Sequence, residues 1–249
     1  MWKVRETGRM DAFIFDMDGV LVDSEPIHSR TKLETLQHFG LFFDERELVH
    51  YMGRTTKALF SDVLAASARQ QLSVDEMVAY KHACYLAHLR QDDSIQPIAG
   101  TRKLLEALRE REIPLALASS AGRVVIEAVL EKFGLQDYFQ SVLSGADLPQ
   151  SKPDPAVYLL SAERLAVQPA DCVVLEDAAS GVAAAKAAGM YCIAYRNPSS
   201  GCQDLSQADR IVEAVADIDL QRLCGPAFSS VRGRGGFFLA LIENVYKKN

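Results

Sequence analysis

The chain has 249 residues, a formal charge of -6, 49% hydrophobic residues and 8% aromatic residues. That composition excludes a disordered chain, and the length allows one large domain or two small ones. The acidic balance argues against a broad nucleic-acid-binding surface; the opening MWKVRETGRMD lacks the apolar segment of a secretory signal, and no run approaches the roughly 18 apolar residues of a membrane span.

Residues 12–15 (AFIF) form a short apolar run ending in Asp16, the length of a buried parallel strand. Asp16 to Pro26 is polar and turn-rich. Residues 27–95 read as almost entirely helical, because apolar positions recur at three and four spacing in LETLQHFG, ALFSDVLAASA and MVAYKHACYLAHL. After PIAG (97–100) the pattern changes. A helix over 101–111 leads to PLALA (114–118), a helix over 123–133 to SVL (141–143), and a helix over 155–165 to CVVL (172–175). A last helix over 179–188 leads to YCIAY (191–195), and the IV pair at 211–212 suggests an edge strand. Short apolar strands alternating with helices imply right-handed crossovers and a parallel sheet. The expected fold is therefore an α/β, Rossmann-like doubly wound core over 10–24 and 98–222, with a helical cap inserted at 25–97. Residues 223–249 are a tail of unclear role, turn-like at first and then apolar in FFLALIENVYKK. A peripheral helix packed on the core is its simplest reading.

The five cysteines are odd in number and form no CxxC pair or zinc spacing. With Cys172 and Cys192 in apolar runs, they read as reduced, buried thiols of a cytoplasmic protein. All five histidines lie in the first 88 residues, so chemistry in the later two thirds must run without imidazole.

Four polar clusters each follow or closely trail a predicted strand. Asp16-Met17-Asp18-Gly19 can turn two carboxylates into one site if the chain leaves strand geometry after Asp16, and Gly19 permits the close turn. Ser119-Ser120 places hydroxyls before a helix, suited to an anionic oxygen or simply to helix capping. Lys152-Pro153-Asp154-Pro155 projects a lysine just ahead of a helix start. Glu176-Asp177 follows a further strand, and Gly181 lies in the helix start after it. Singly, each has a bland reading: a solvated acidic turn, a cap, a surface lysine. Together they describe a metal-assisted phosphoryl site with a nucleophilic carboxylate, in which a hard divalent cation such as Mg2+ offsets the crowded negative charge.

These motifs, DMDGVLVDSE (16–25), SS (119–120), KPDP (152–155) and EDAASG (176–181), resemble those of the haloacid dehalogenase superfamily. The helical insertion resembles the type-1 cap subfamily, which includes β-phosphoglucomutase and sugar-phosphate phosphatases. The resemblance covers residues 11–222. It implies that Asp16 attacks phosphorus and that Asp18 acts as general acid and base. It implies that Mg2+ is held by Asp16, Asp177, the Asp18 carbonyl, and Glu176 directly or through water. Ser119 and Lys152 would hold the phosphoryl oxygens.

Two cap positions look mutase-like. His28, twelve residues after Asp16, falls where β-phosphoglucomutase places a histidine near its general acid and base, and Lys81, four before Tyr85, resembles that enzyme's cap lysine. Other positions depart from it. Thr56 stands where that enzyme has the arginine that grips the second phosphate, with Arg54 and Lys57 as candidate substitutes. Its Ser-Lys-Asn stretch is here Ala121-Gly122-Arg123. Ser120 and Arg123 remain candidate substrate contacts. The expectation is a phosphatase of a small phosphorylated metabolite, with a mutase as the alternative. It would act as a monomer or weak dimer without nucleic acid or membrane.

Overall fold

A computed structural model describes residues 10–44, 56–67, 69, 71–92 and 95–224. The expected tail helix beyond residue 224 and the Gly53-Arg54-Thr55 segment lie outside them. Strand β1 (Ala12–Phe15) is buried on both faces, as its unbroken apolar run requires. It pairs in parallel with β2 (Leu115–Ser119) through Phe13↔Leu115 and with β4 (Cys172–Glu176) through Phe13↔Val173. With β3 (Ser141–Ser144), β5 (Tyr191–Tyr195) and β6 (Arg210–Val212), the six-stranded order is β3-β2-β1-β4-β5-β6. The chain winds outward from β1 to β3 and then returns to β4. That reversal beside β1 leaves a crevice beyond the strands' carboxyl ends, where open α/β sheets place their ligands.

Side-chain alternation supplies the two halves of the core. Phe13, Phe15, Leu115, Leu117, Val173, Leu175 and Ile193 face one layer, with Leu105 of α4 (Thr101–Arg109) and Ile126 of α5 (Arg123–Phe133). Ile14, Ala116, Ala118, Val174 and Cys192 face the other, with Tyr158 of α6 (Ala156–Arg164) and Val182 of α7 (Ala179–Ala187). The alanines on this second face let α6 lie close to the sheet.

The inserted helices are α1 (Glu25–His38), α2 (Thr56–Ala66) and α3 (Val74–Gln91). Pro26 suits the first turn of α1. Ser73 caps α3, its Oγ accepting from Glu76 N–H at 3.3 Å. Leu36, Leu59, Phe60, Val63, Leu64 and Met77 bury one another in a core of their own. Tyr85 and Leu89 of α3, with Ile27 of α1, instead join the core of the sheet's first face, so both helices seat the cap. The expected, almost entirely helical block is interrupted at residues 39–44, and Gly40 there has a left-handed φ of 70°. A short helix α8 (Leu220–Cys224), unforeseen in the sequence, closes the described chain. All five cysteines are free; Cys172 and Cys192 are buried, but Cys202 is exposed, so the expectation of buried thiols holds for only part of the set. No helix among the described residues is long and apolar enough to cross a membrane.

Candidate active site

Asp16 leaves β1 at the sheet's centre, its N–H still bonded to Leu175 O at 3.0 Å. The next residues coil tightly: Leu21 N–H bonds Met17 O at 2.8 Å, and Gly19 N–H bonds Val22 O at 2.8 Å. This turn brings Asp18 back beside Asp16. Gly19 sits at φ 77°, and a Cβ there would overlap the Asp177 carboxylate. Both the backbone angle and the close approach therefore require glycine.

Lys152 reaches in from the segment before α6. Its Nζ donates to Asp16 Oδ1 at 2.6 Å, Glu176 Oε1 at 2.7 Å and Ala118 O at 2.9 Å. All three ammonium protons are thus used in a nearly dry setting. Burial opposes the charge on Lys152, but the two carboxylates overcome it and hold the amine above its usual range.

Glu176 is 1% exposed, and both of its oxygens are spoken for. Oε1 accepts from Lys152 and from Tyr158 Oη at 2.7 Å, while Oε2 accepts from Asp177 N–H at 3.0 Å and Ala178 N–H at 3.1 Å. Helix α7 presses against this carboxylate, since a Cβ on Gly181 would overlap Glu176 Oε1. Gly181→Ala is therefore expected to displace Glu176 and lower kcat/KM at least about tenfold, with about 1–3 kcal/mol of overpacking destabilisation. Steady-state kinetics and a urea titration read the two effects; wild-type values in both would show that Glu176 has room to move.

Asp16, Glu176 and Asp177 are buried with carboxylate oxygens within 4.8 Å of one another. Burial, then the neighbouring carboxylates, raise Asp16 to about 7 against the pull of Lys152. Burial and the charges of Glu176 and Asp16 likewise raise Asp177 well above its usual value. Such a cluster resists holding full negative charge alone. Its all-oxygen donor set fits a hard divalent cation, which would relieve the repulsion.

Asp18 differs. Burial raises it, but hydrogen bonds from His28 and Ser24 and the Lys81 charge outweigh this, so its carboxyl lies below the usual value. Ser24 Oγ donates to Asp18 Oδ1 at 2.6 Å, and His28 Nε2 lies 3.4 Å from the same oxygen. Lys81 Nζ lies 2.7 Å from His28 Nδ1. An ammonium donates only, so Nδ1 accepts and Nε2–H faces Asp18. The imidazole stacks on Tyr85, with ring centroids 4.6 Å apart. Burial pushes Lys81 down to about 8.

Asp16, Asp18, Lys152, Glu176, Asp177 and Ser120 line one cleft of about 190 Å³. A roomier groove of about 490 Å³, where the helical insertion leaves and rejoins the core, carries Asp23, Arg30 and Asp92 but none of these groups. The smaller cleft is the one that gathers the carboxylate cluster and Lys152.

Other expected contacts lie elsewhere. Ser119 is fully buried, its Oγ accepting from Ala121 N–H at 3.0 Å, so Ser120 presents the hydroxyl to the cleft. Lys57 pairs with Asp75 at 2.9 Å on the exposed cap surface, away from the cleft lining. Thr56, at the first turn of α2, is also absent from that lining. Arg123 is exposed at the start of α5, 3.4 Å from Asp147. A helical lysine or arginine reaches whichever way its turn faces, which spacing alone did not fix. Conversely, Ser24, Tyr158, Ser200 and Gln203 touch the site or line it without having been singled out. For Ser200, the available signal was a turn-rich NPSSG directly after an apolar strand.

The chain belongs to the haloacid dehalogenase-like hydrolases, whose family model matches residues 13–195. It is 31% identical to the fructose-1-phosphate phosphatase YqaB of Escherichia coli K12, over 76% of this chain and 97% of that protein. It is 34% identical to hexitol phosphatase B of the same strain, over 76% of this chain and 85% of that one. Among solved structures, CbbY from Rhodobacter sphaeroides in complex with phosphate superimposes with a TM-score of 0.73 at 28% identity, covering 84% of this chain and 96% of CbbY.

Proposed function

We propose that this chain is a Mg2+-dependent phosphatase of a small phosphomonoester, with a sugar phosphate as the substrate class. The observation that carries the reading is the placement of Asp16, Asp18, Lys152 and the Asp16–Glu176–Asp177 cluster around one cleft beyond the sheet's carboxyl ends. Two relatives, a fructose-1-phosphate phosphatase and a hexitol phosphatase, support the substrate class.

Asp16 and Asp177 would hold the cation, with the Asp18 carbonyl beside them. Glu176, with both oxygens hydrogen-bonded, would act through water. When bound, the cation supplies charge neutralisation for the nucleophile and the phosphoryl oxygens. A carboxylate oxygen of Asp16 would attack phosphorus, the ester P–O bond would break, and the leaving oxygen would take a proton from Asp18, which is ionised at rest and receives that proton along the Lys81–His28 line. Water then attacks the aspartyl-phosphate, gives its proton to Asp18, and releases inorganic phosphate and free Asp16. The line from Lys81 through His28 orients Asp18 and keeps a proton within reach of it. Ser120 would donate to a phosphoryl oxygen, Lys152 would turn one of its three N–H groups from Asp16 to another phosphoryl oxygen as the Asp16 carboxylate loses its charge, and the cap would exclude bulk water.

The Lys81–His28–Asp18 line is the feature that favours the mutase alternative. Against it, Thr56 stands where a mutase needs a guanidinium for the second phosphate, and Arg123 is engaged with Asp147. Incubation with β-glucose 1-phosphate and catalytic glucose 1,6-bisphosphate separates the two. Phosphate release from a panel of hexose and hexitol phosphates, lost in EDTA and restored by Mg2+, is expected. Efficient isomerisation with little phosphate released would reverse the assignment.

A further inference from the structure

One wall of the cleft comes from the β5–β6 connection, which none of the four motifs contains. Asn197 is buried there, and its Nδ2 donates to Gly19 O at 3.1 Å while its Oδ1 accepts from Ser199 N–H at 2.8 Å. Ser199 Oγ donates to Asp23 Oδ2 at 2.8 Å. The next residue turns the other way: Ser200 Oγ donates to Asp177 Oδ2. Gln203 then locks the segment, its Nε2 donating to Ser200 O at 3.0 Å and its Oε1 accepting from Ala179 N–H at 3.1 Å. Ser200 and Gln203 line the cleft itself.

A surface connection between two strands does not need this many side-chain anchors. These anchors join the turn that carries Asp18 and Gly19 to the turn that carries Asp177, in addition to the pairing of β1 with β4 and the Lys152 bridge from Asp16 to Glu176. The hydroxyl of Ser200 takes one oxygen of Asp177 and so fixes the rotation of that carboxylate. Hydrogen bonds to a ligating carboxylate set its orientation and tune its affinity for a metal.

We propose that Ser200 is a positioning residue for cation binding, fixing the Asp177 carboxylate from a strap, Asn197 to Gln203, that ties both acidic turns together. The inference rests on the cation-dependent reading of the site. Its test is calorimetric titration of Mn2+ into the full-length wild-type protein and into Ser200→Ala and Ser200→Thr. Ser200→Ala is expected to weaken the Mn2+ Kd about 10–100-fold, and Ser200→Thr, which keeps the hydroxyl, to stay within about threefold of wild type. In turnover, the half-saturating Mg2+ concentration of Ser200→Ala should rise by a similar factor, while kcat at saturating Mg2+ recovers. Should the alanine variant fail to fold, Ser200→Cys fills the same space with a weak donor and carries the same comparison. A wild-type Kd in Ser200→Ala, or a threonine variant as weak as the alanine one, would overturn the proposal while leaving the phosphatase reading intact. A wild-type protein that binds no Mn2+ would overturn both.

Discussion

Asp16→Asn is expected to lower kcat by about four orders of magnitude or more, because an amide of the same shape cannot form an acyl phosphate. The fold should survive. Asp16 is buried and crowded by Glu176 and Asp18, and these pressures exceed the help it receives from Lys152. A neutral isostere removes that crowding. In EDTA the variant should therefore melt no lower than wild type. The sign of the pH effect follows from the same shift. Asp16 rises from 3.8 to about 7 on folding, so the folded state holds its proton more tightly. The stability this contributes is full below pH 3.8 and is lost as pH rises toward 7. The variant should gain on metal-free wild type across that interval and hold its advantage above it. Melting curves in EDTA at several pH values check this; a variant that falls behind as pH rises would contradict it.

Lys152→Met should be costly in two ways. The side chain neutralises Asp16 and Glu176 at once, and it is 4% exposed. Removing one partner of a buried ionic cluster leaves uncompensated charge, at a cost of about 3–5 kcal/mol. The loss should be smaller with Mg2+ present, since a bound cation supplies part of the missing positive charge. Turnover at saturating Mg2+ should still fall by about 100–1,000-fold, the scale of losing one preorganised donor to the transition-state oxygens. Urea titrations with and without Mg2+, together with kcat, separate the effects. Equal stability loss in both conditions would mean that Lys152 and the cation do not share a charge cluster.

The core of this site was legible because apolar runs fix where strands end. AFIF leading into Asp16 and CVVL leading into Glu176 place their carboxylates at adjacent strand ends, and β1 and β4 are indeed neighbours. The Lys152 motif was legible as a family pattern, though its three-way bonding required the fold. What stayed hidden depends on facing and on distant contact. Ser119 and Ser120 are adjacent, and only the strand's alternation and the turn after it decide which one meets the cleft. Tyr158 lies in an amphipathic helix, where an aromatic reads as core; most of its ring is core, and only the hydroxyl reaches Glu176. Asn197 touches Gly19 across 178 residues of chain, a pairing that no local pattern announces.

In the proposed reaction Asp16 carries the phosphoryl group. The direct measurement mixes wild-type protein, Mg2+ and a radiolabelled hexose phosphate, quenches in acid over milliseconds to seconds, and maps label by proteolysis and mass spectrometry. Label on Asp16, appearing before inorganic phosphate and decaying as phosphate forms, is the expected result. Phosphate formation with no protein-bound label at any quench time, or label on another residue, would contradict it.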